Sequence, residues 1–280
     1  MKIFPFLAIV ILFLSCSDGK KSATNKKNES IITKQVVKPE FQFIIDSCNV
    51  EGSVLIYDLN KDIYYSNNFE RAKMGHLPAS TFKIANSIIA LETGIVKNDS
   101  TLLKWDGKKR WMKKWEQDLI LRDAFHFSCV PCYQDIARSI GVERMNAYLA
   151  KMKYGSMKVD TSNLDMFWLE GDSRINQFQQ IDFLKSFYQS KLPISERTEK
   201  IMKRMFVADH TDQYKLSEKT GLSNTNSIYN GWYVGYIEFK SDTYFFATNI
   251  EPQKEFDFDK FVAKRKEITL KALKQMGFMK

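Results

Sequence analysis

Ser80-Thr81-Phe82-Lys83 sets a hydroxyl and an amine three residues apart. On a helix that spacing puts both on one face, with Cβ atoms roughly 5–6 Å apart. A serine hydroxyl is a poor nucleophile until a neighbouring base takes its proton. A lysine, with an ordinary pKa of about 10.4, is such a base only when burial or a chemical change removes its charge. The pair therefore points to acyl transfer through Ser80. The bare pattern is not specific, because Ser17-Asp18-Gly19-Lys20 satisfies it too. Context separates the two. Ser80 opens an apolar pattern through Ile84, Ala85, Ile88, Ile89 and Leu91 that stops at Gly94, a buried helix with a glycine end.

Lys219-Thr220-Gly221 precedes an aromatic hairpin signal. On a strand, Lys219 and Gly221 share a face, and a glycine lets a ligand approach the backbone. Lys219 would supply positive charge, and Thr220 or the backbone would bind a substrate carboxylate. Taken alone, the tripeptide is also an ordinary turn. Ser128, ahead of a helix start at Pro131, could relay a proton between a lysine and a leaving nitrogen, or simply sit near an N-cap. Cys129-Val130-Pro131-Cys132 has redox or zinc spacing. However, the chain has no second cysteine pair and only His76, His126 and His210 to complete a metal site. Two residues between the cysteines at a helix start argue against a relaxed disulfide. They read as small buried apolar side chains.

The elements that would position these groups follow from periodicity. Strands are expected over residues 50–60 and 63–65, then the helix that begins at Ser80. Helices over 119–127, 131–140, 144–151, 177–189 and 196–205 make the middle third mainly helical. Aromatic and β-branched runs over 229–239 and 243–250 form a hairpin through Lys240-Ser241-Asp242. An amphipathic helix over 258–276 ends the chain. Strands at both ends with helices between predict an α/β (α+β) domain over 41–280, an antiparallel sheet formed by both termini and flanked by helices, with a helical insertion at about 105–206. No dinucleotide or Walker loop, zinc helix or nucleophile elbow is present.

The first residues read as an export signal. Met1-Lys2 is basic, residues 3–14 are apolar, and the run is too short to span a bilayer. Phe13-Leu14-Ser15-Cys16 resembles a bacterial lipoprotein box, with Phe13 in place of the usual aliphatic residue. The expectation is a signal peptide over 1–16, lipidation and membrane anchoring at Cys16, a flexible tether over 17–40 and a periplasmic location. The alternative is ordinary cleavage to a soluble periplasmic protein. The net charge of +9 is spread among acidic residues rather than gathered in a stripe, which reads as solvated surface and argues against a nucleic-acid partner. Nothing demands a metal, and the oligomeric state stays open.

Taken in order, Ser80-x-x-Lys83, Ser128-x-Val130, Tyr154-Gly155, Trp168-Leu169-Glu170-Gly171 and Lys219-Thr220-Gly221 resemble the class D (oxacillinase-type) β-lactamases. The likeness extends to Trp105-Asp106-Gly107, Trp115-Glu116-Gln117-Asp118-Leu119 and Gly231-Trp232-Tyr233-Val234-Gly235, and covers about residues 50–275. The resemblance implies a penicillin-recognising serine hydrolase fold and hydrolysis of the lactam ring of penicillin-type antibiotics. It implies that Lys83 takes up CO2 from bicarbonate as an N-carboxylated base, with Trp168 hydrogen-bonding the carbamate. Ser80 would form the acyl-enzyme, with the N–H groups of Ser80 and Leu222 as the oxyanion hole. Ser128 would shuttle the proton to the lactam nitrogen, Lys219 would tune the field, and Arg265 would pair with the substrate carboxylate. Val130, Leu169, Thr220, Gly221 and Leu222 would shape the binding cleft. Ser156 stands where the family has asparagine, and Cys129 where alanine is more usual. A β-lactam sensor and a low-molecular-weight penicillin-binding peptidase share this acylation chemistry but deacylate slowly.

Overall fold

The computed structural model describes residues 34–225 and 227–278. The expected signal peptide, Cys16 and residues 17–33 of the expected tether lie outside the described residues. Residues 34–40, expected to belong to the tether, instead form a strand and the start of a helix. Strand β1 (Lys34–Val37) pairs in parallel with β3, and helix α1 (Pro39–Ser47) follows at once, started by a proline in its first turn. The amphipathic stretch Phe41, Ile44, Ile45 buries one face of α1, so tertiary contact orders a stretch whose first residues looked too polar to fold.

The chain then forms β2 (Val50–Asp58), β3 (Ile63–Ser66) and the short α2 (Phe69–Ala72). A 3₁₀ turn over Ala79–Phe82 leads into α3 (Lys83–Glu92). Two short strands, β4 (Leu102–Leu103) and β5 (Leu119–Ile120), pair across a loop that holds a 3₁₀ turn, Lys113–Trp115. Helices α4 (Leu121–His126), α5 (Val130–Ile140), α6 (Val142–Met152), α7 (Gln177–Tyr188) and α8 (Glu196–Phe206) follow. Strands β6 (Val207–His210), β7 (Tyr214–Thr225), β8 (Ile228–Phe239) and β9 (Asp242–Pro252) precede the last helix, α9 (Phe258–Gln275).

The large sheet has the order β1-β3-β2-β9-β8-β7-β6. It is antiparallel except at β1–β3, so it is mixed rather than purely antiparallel. Alternation splits its residues between two cores. Leu55, Trp232, Val234, Phe245 and Ala247 face α3, α5, α7 and α8, while Val54, Ile56, Tyr233, Ile237 and Phe246 face α1 and α9. Both faces are covered, which explains why the central strands are almost continuously apolar. Helix α3 runs through the first core with every residue from Lys83 to Leu91 buried. No helix among the described residues is long and apolar enough to cross a membrane.

The structure also corrects the reading of two cysteines. Cys129 and Cys132 form a disulfide, and Cys48 is free and buried. Cys129 is the N-cap of α5 and Cys132 lies in its first turn. One helical turn brings their Cα atoms to 5.4 Å, within the range a bridge spans without backbone movement.

Candidate active site

Ser80 sits in the 3₁₀ turn rather than in the α-helix proper, and Lys83 is the first residue of α3. Ala79 adopts a left-handed φ of 50°, unusual for a residue with a side chain. Its surroundings hold it there. The Ala79 N–H donates to the Trp168 carbonyl at 2.8 Å, Gln180 Nε2 donates to Thr81 Oγ1 at 2.8 Å, and Asn230 Nδ2 and Trp232 Nε1 donate to the Leu77 carbonyl at 2.9 and 2.8 Å. These anchors come from three distant segments. Sequence reading did not single out Gln180, Asn230 or Trp232 as positioning residues. A buried polar side chain that needs a partner is the one signal they carry.

Lys83 Nζ donates to Ser80 Oγ at 2.8 Å. Lys83 is completely buried, below Phe82 and with its Nζ 5.2 Å from the centre of the Tyr133 ring. Burial, with the charge of Lys219 as a second cause, holds its pKa well below the usual lysine range. The shift is toward the neutral amine. Trp168, also fully buried, packs 5.3 Å from Phe82, and its indole N–H meets no acceptor among the described residues. A buried N–H without a partner is costly, and a carboxylate on Lys83 is a group of the type that would accept from it.

Lys219 projects from β7, and its Nζ donates to Ser128 Oγ at 3.1 Å. Burial, reinforced by the nearby charge of Arg265, pushes its pKa down to about 7. Ser128 lies in the turn between α4 and α5 with a φ of 55°. Strand β6 covers β7 only as far as Ser217, so the outer edge of β7 beyond that point lies open beside the Ser80 turn. Gly221 allows the close approach there: a Cβ would lie 3.1 Å from the Pro78 carbonyl oxygen and 3.1 Å from Thr81 Cγ2, tighter than ordinary contact. Arg265 reaches this edge from α9 across Gly231, where a Cβ would come within 2.9 Å of the arginine side chain. Its Nη1 donates to the Gly221 carbonyl at 2.6 Å, and burial lowers its pKa to about 10. It stays a cation at neutral pH.

A cleft of about 410 Å³ joins Ser80, Ser128, Val130, Thr220, Gly221, Leu222 and Arg265. Lys83, Lys219 and Trp168 are buried and do not line it. Leu169, expected in the cleft, is not among its lining residues and packs against the first core instead. The turn that buries Trp168 directs the next side chain elsewhere. Trp111, Met112, His126 and Phe258 do line the cleft, although sequence reading passed over them. Trp111 is 77% exposed, an apolar ring at the mouth. Ser156, the departure from asparagine, exchanges two backbone hydrogen bonds of 2.8 Å with Arg174 and lies outside this cleft. A larger hollow of about 600 Å³, between His210 and Gly277, contains none of the candidate residues.

Comparison with known proteins places the fold and the family. The family described as the penicillin binding protein transpeptidase domain matches residues 50–273. The β-lactamase OXA-10 of Pseudomonas aeruginosa is 42% identical over 217 residues, 76% of this chain and 80% of that one. The crystal structure of a class D β-lactamase from Sebaldella termitidis superposes with a TM-score of 0.85 at 37% identity, covering 89% of this chain and all of that one. The class D β-lactamase YbXI from Nostoc superposes with a TM-score of 0.82 at 40% identity, over 85% of this chain and 99% of that one.

Proposed function

The chain belongs to the class D (oxacillinase-type) family of serine β-lactamases and hydrolyses β-lactams, and we propose that it does so through a Ser80 acyl-enzyme with Lys83 as the site of the general base. The observation that carries the assignment of roles is the closed floor of the cleft. There Lys83 Nζ lies 2.8 Å from Ser80 Oγ, its charged form disfavoured, and Trp168, packed against Phe82, carries a buried indole N–H that lacks an acceptor.

Carbon dioxide adds to a neutral amine, and the resulting N-carboxylate on Lys83 would supply a base for the serine proton and later for a hydrolytic water. Trp168 would hold that group through its indole N–H, and Phe82 and Tyr133 would keep water from it. Ser80 Oγ attacks the lactam carbonyl, and the N–H groups of Ser80 and Leu222 receive the oxyanion. The open edge of β7 aligns the substrate beside the nucleophile. Ser128 passes a proton to the lactam nitrogen as the C–N bond breaks, and Lys219 at 3.1 Å can replace that proton on Ser128. Arg265 and Thr220 take the substrate carboxylate, a planar guanidinium being suited to two parallel hydrogen bonds. The N-terminal residues support export and a lipid anchor at Cys16. The activity confers resistance to these antibiotics.

The test is steady-state turnover of a penicillin and a chromogenic cephalosporin, with and without bicarbonate, beside Lys83→Ala. Many turnovers, raised by bicarbonate and reduced by about 10³-fold in the variant, are expected. A single stoichiometric burst and a stable acyl-enzyme from the unaltered protein would favour a sensor or peptidase instead.

A further inference from the structure

The reaction as derived leaves the Cys129–Cys132 bridge unused, although it adjoins Ser128. Ser128 holds a left-handed φ of 55°, which a side chain disfavours. On its N-terminal side, a hydrogen bond from Ser128 N–H to the Phe125 carbonyl (3.1 Å) and, on its C-terminal side, one from Cys129 N–H to the Ala124 carbonyl (2.9 Å) close the end of α4. On its C-terminal side the only side-chain cap is sulfur: Cys129 Sγ accepts from Cys132 N–H at 3.3 Å. Sulfur is a weak acceptor compared with the serine, threonine or aspartate that usually caps a helix. The covalent bond does what the weak cap cannot. It ties Cys129 to the first turn of α5, so the Cys129 backbone cannot rotate without moving the helix. Relaxation of Ser128 toward an ordinary φ would carry Oγ away from Lys219 Nζ, now 3.1 Å distant.

The bridge also has its own access. Both cysteines line a separate hollow of about 200 Å³ with Trp105 and Trp115. Trp115 forms part of the cleft as well, and its Nε1–H donates to the Phe127 carbonyl at 2.9 Å, immediately before Ser128. Cys129 is fully buried and Cys132 only partly so, which leaves Cys132 as the sulfur a small thiol can meet from this hollow.

We propose that the Cys129–Cys132 disulfide is a positioning element for the reaction, holding Ser128 in its left-handed conformation so that Oγ stays between Lys219 and the leaving nitrogen. The inference rests on the reading of Ser128 as the proton shuttle. Dithiothreitol provides the test, because its two thiols close to a cyclic disulfide as two electrons and two protons convert Cys129 and Cys132 to thiols. Penicillin kcat and KM would be measured on the purified protein before and after reduction, with alkylation and mass spectrometry to count thiols. Cys132→Ser and Ser128→Ala would be measured beside it. Reduction should lower kcat by about tenfold with KM within about twofold, and Cys132→Ser should match it. In Ser128→Ala, reduction should change kcat by less than about twofold, since the group being positioned is gone.

Equal kcat for the oxidised and reduced protein would overturn the inference, and chemical reduction gives that answer even if Cys132→Ser does not fold. So would an undiminished tenfold loss on reducing Ser128→Ala, which would mark the bridge as general scaffolding. Wild-type turnover by Ser128→Ala itself would instead remove the shuttle reading, and this inference with it.

Discussion

The floor of the cleft around Lys83 and its wall along β7 are both built on buried basic side chains, but the two regions treat charge in opposite ways. On the floor, aromatic rings close over Lys83 and its hydrogen bond goes to a neutral serine oxygen. Its pKa falls well below the usual range. Along the wall, Lys219 is held near a pKa of about 7, and Arg265, nearer the mouth, near about 10. Each group presses on the one below it, since the charge of Arg265 lowers Lys219 and that of Lys219 lowers Lys83. The cleft thus grades from an amine pushed toward neutrality at its base to a permanent cation at its entrance. Proton chemistry belongs at the base and recognition of an anion at the entrance, and one feature, burial without a paired carboxylate, gives both.

Changes that respect shape but alter one region sharpen this contrast. The largest effect is expected from Trp168→Phe, which keeps an aromatic ring behind Phe82 and removes the indole N–H. Turnover should fall by about 10²-fold with acyl-enzyme accumulating in mass spectra, and saturating bicarbonate should recover part of it. Wild-type turnover would deny the floor its role in holding a base. At the entrance, Arg265→Lys keeps the charge but loses the planar fork. It should raise KM for penicillins by about tenfold and leave kcat nearly unchanged, a split visible in steady-state kinetics. A fall in kcat alone would mean that Arg265 belongs to the chemistry rather than to binding.

The smallest effect concerns stability. Lys219 has a folded pKa of about 7, against about 10.4 in an unfolded chain. Below pH 7 both states are protonated and the folded state carries the full cost of the buried ammonium. Between pH 7 and about 10.4 the folded state has released its proton and the unfolded state has not, so the cost is relieved as pH rises. Lys219→Met should therefore raise Tm by about 3 °C at pH 7, with the gain shrinking toward pH 10. A Tm gain independent of pH would locate the effect in packing.

Legibility followed the range of the interaction. The Ser80 helix, the β8–β9 hairpin and the order of the motifs depend on local periodicity and residue type, and they could be read directly. β1 and α1 could not, because Lys34–Val37 is a polar edge strand ordered only by pairing with β3. β7 was visible only at Lys219-Thr220-Gly221, because its remaining residues alternate between faces in partly polar fashion. Leu169 was expected in the cleft by adjacency to Trp168, yet the turn sends it into the core. The cysteine pair was read as thiols because spacing alone does not reveal that one of them caps the helix.

By itself the amino-acid sequence determined which groups could react: a serine nucleophile, a lysine one turn away, a second serine, a second lysine and an arginine. Those are properties of residue type and short spacing, carried by covalent structure and one turn of helix. Tertiary structure alone decided their protonation and their reach. The pKa of Lys83 falls because residues far apart in the chain bury it, and Ser128 meets Lys219 across 91 positions because α4, α5 and β7 pack side by side. Solvation and distance are properties of the assembled surroundings, and no local pattern encodes them.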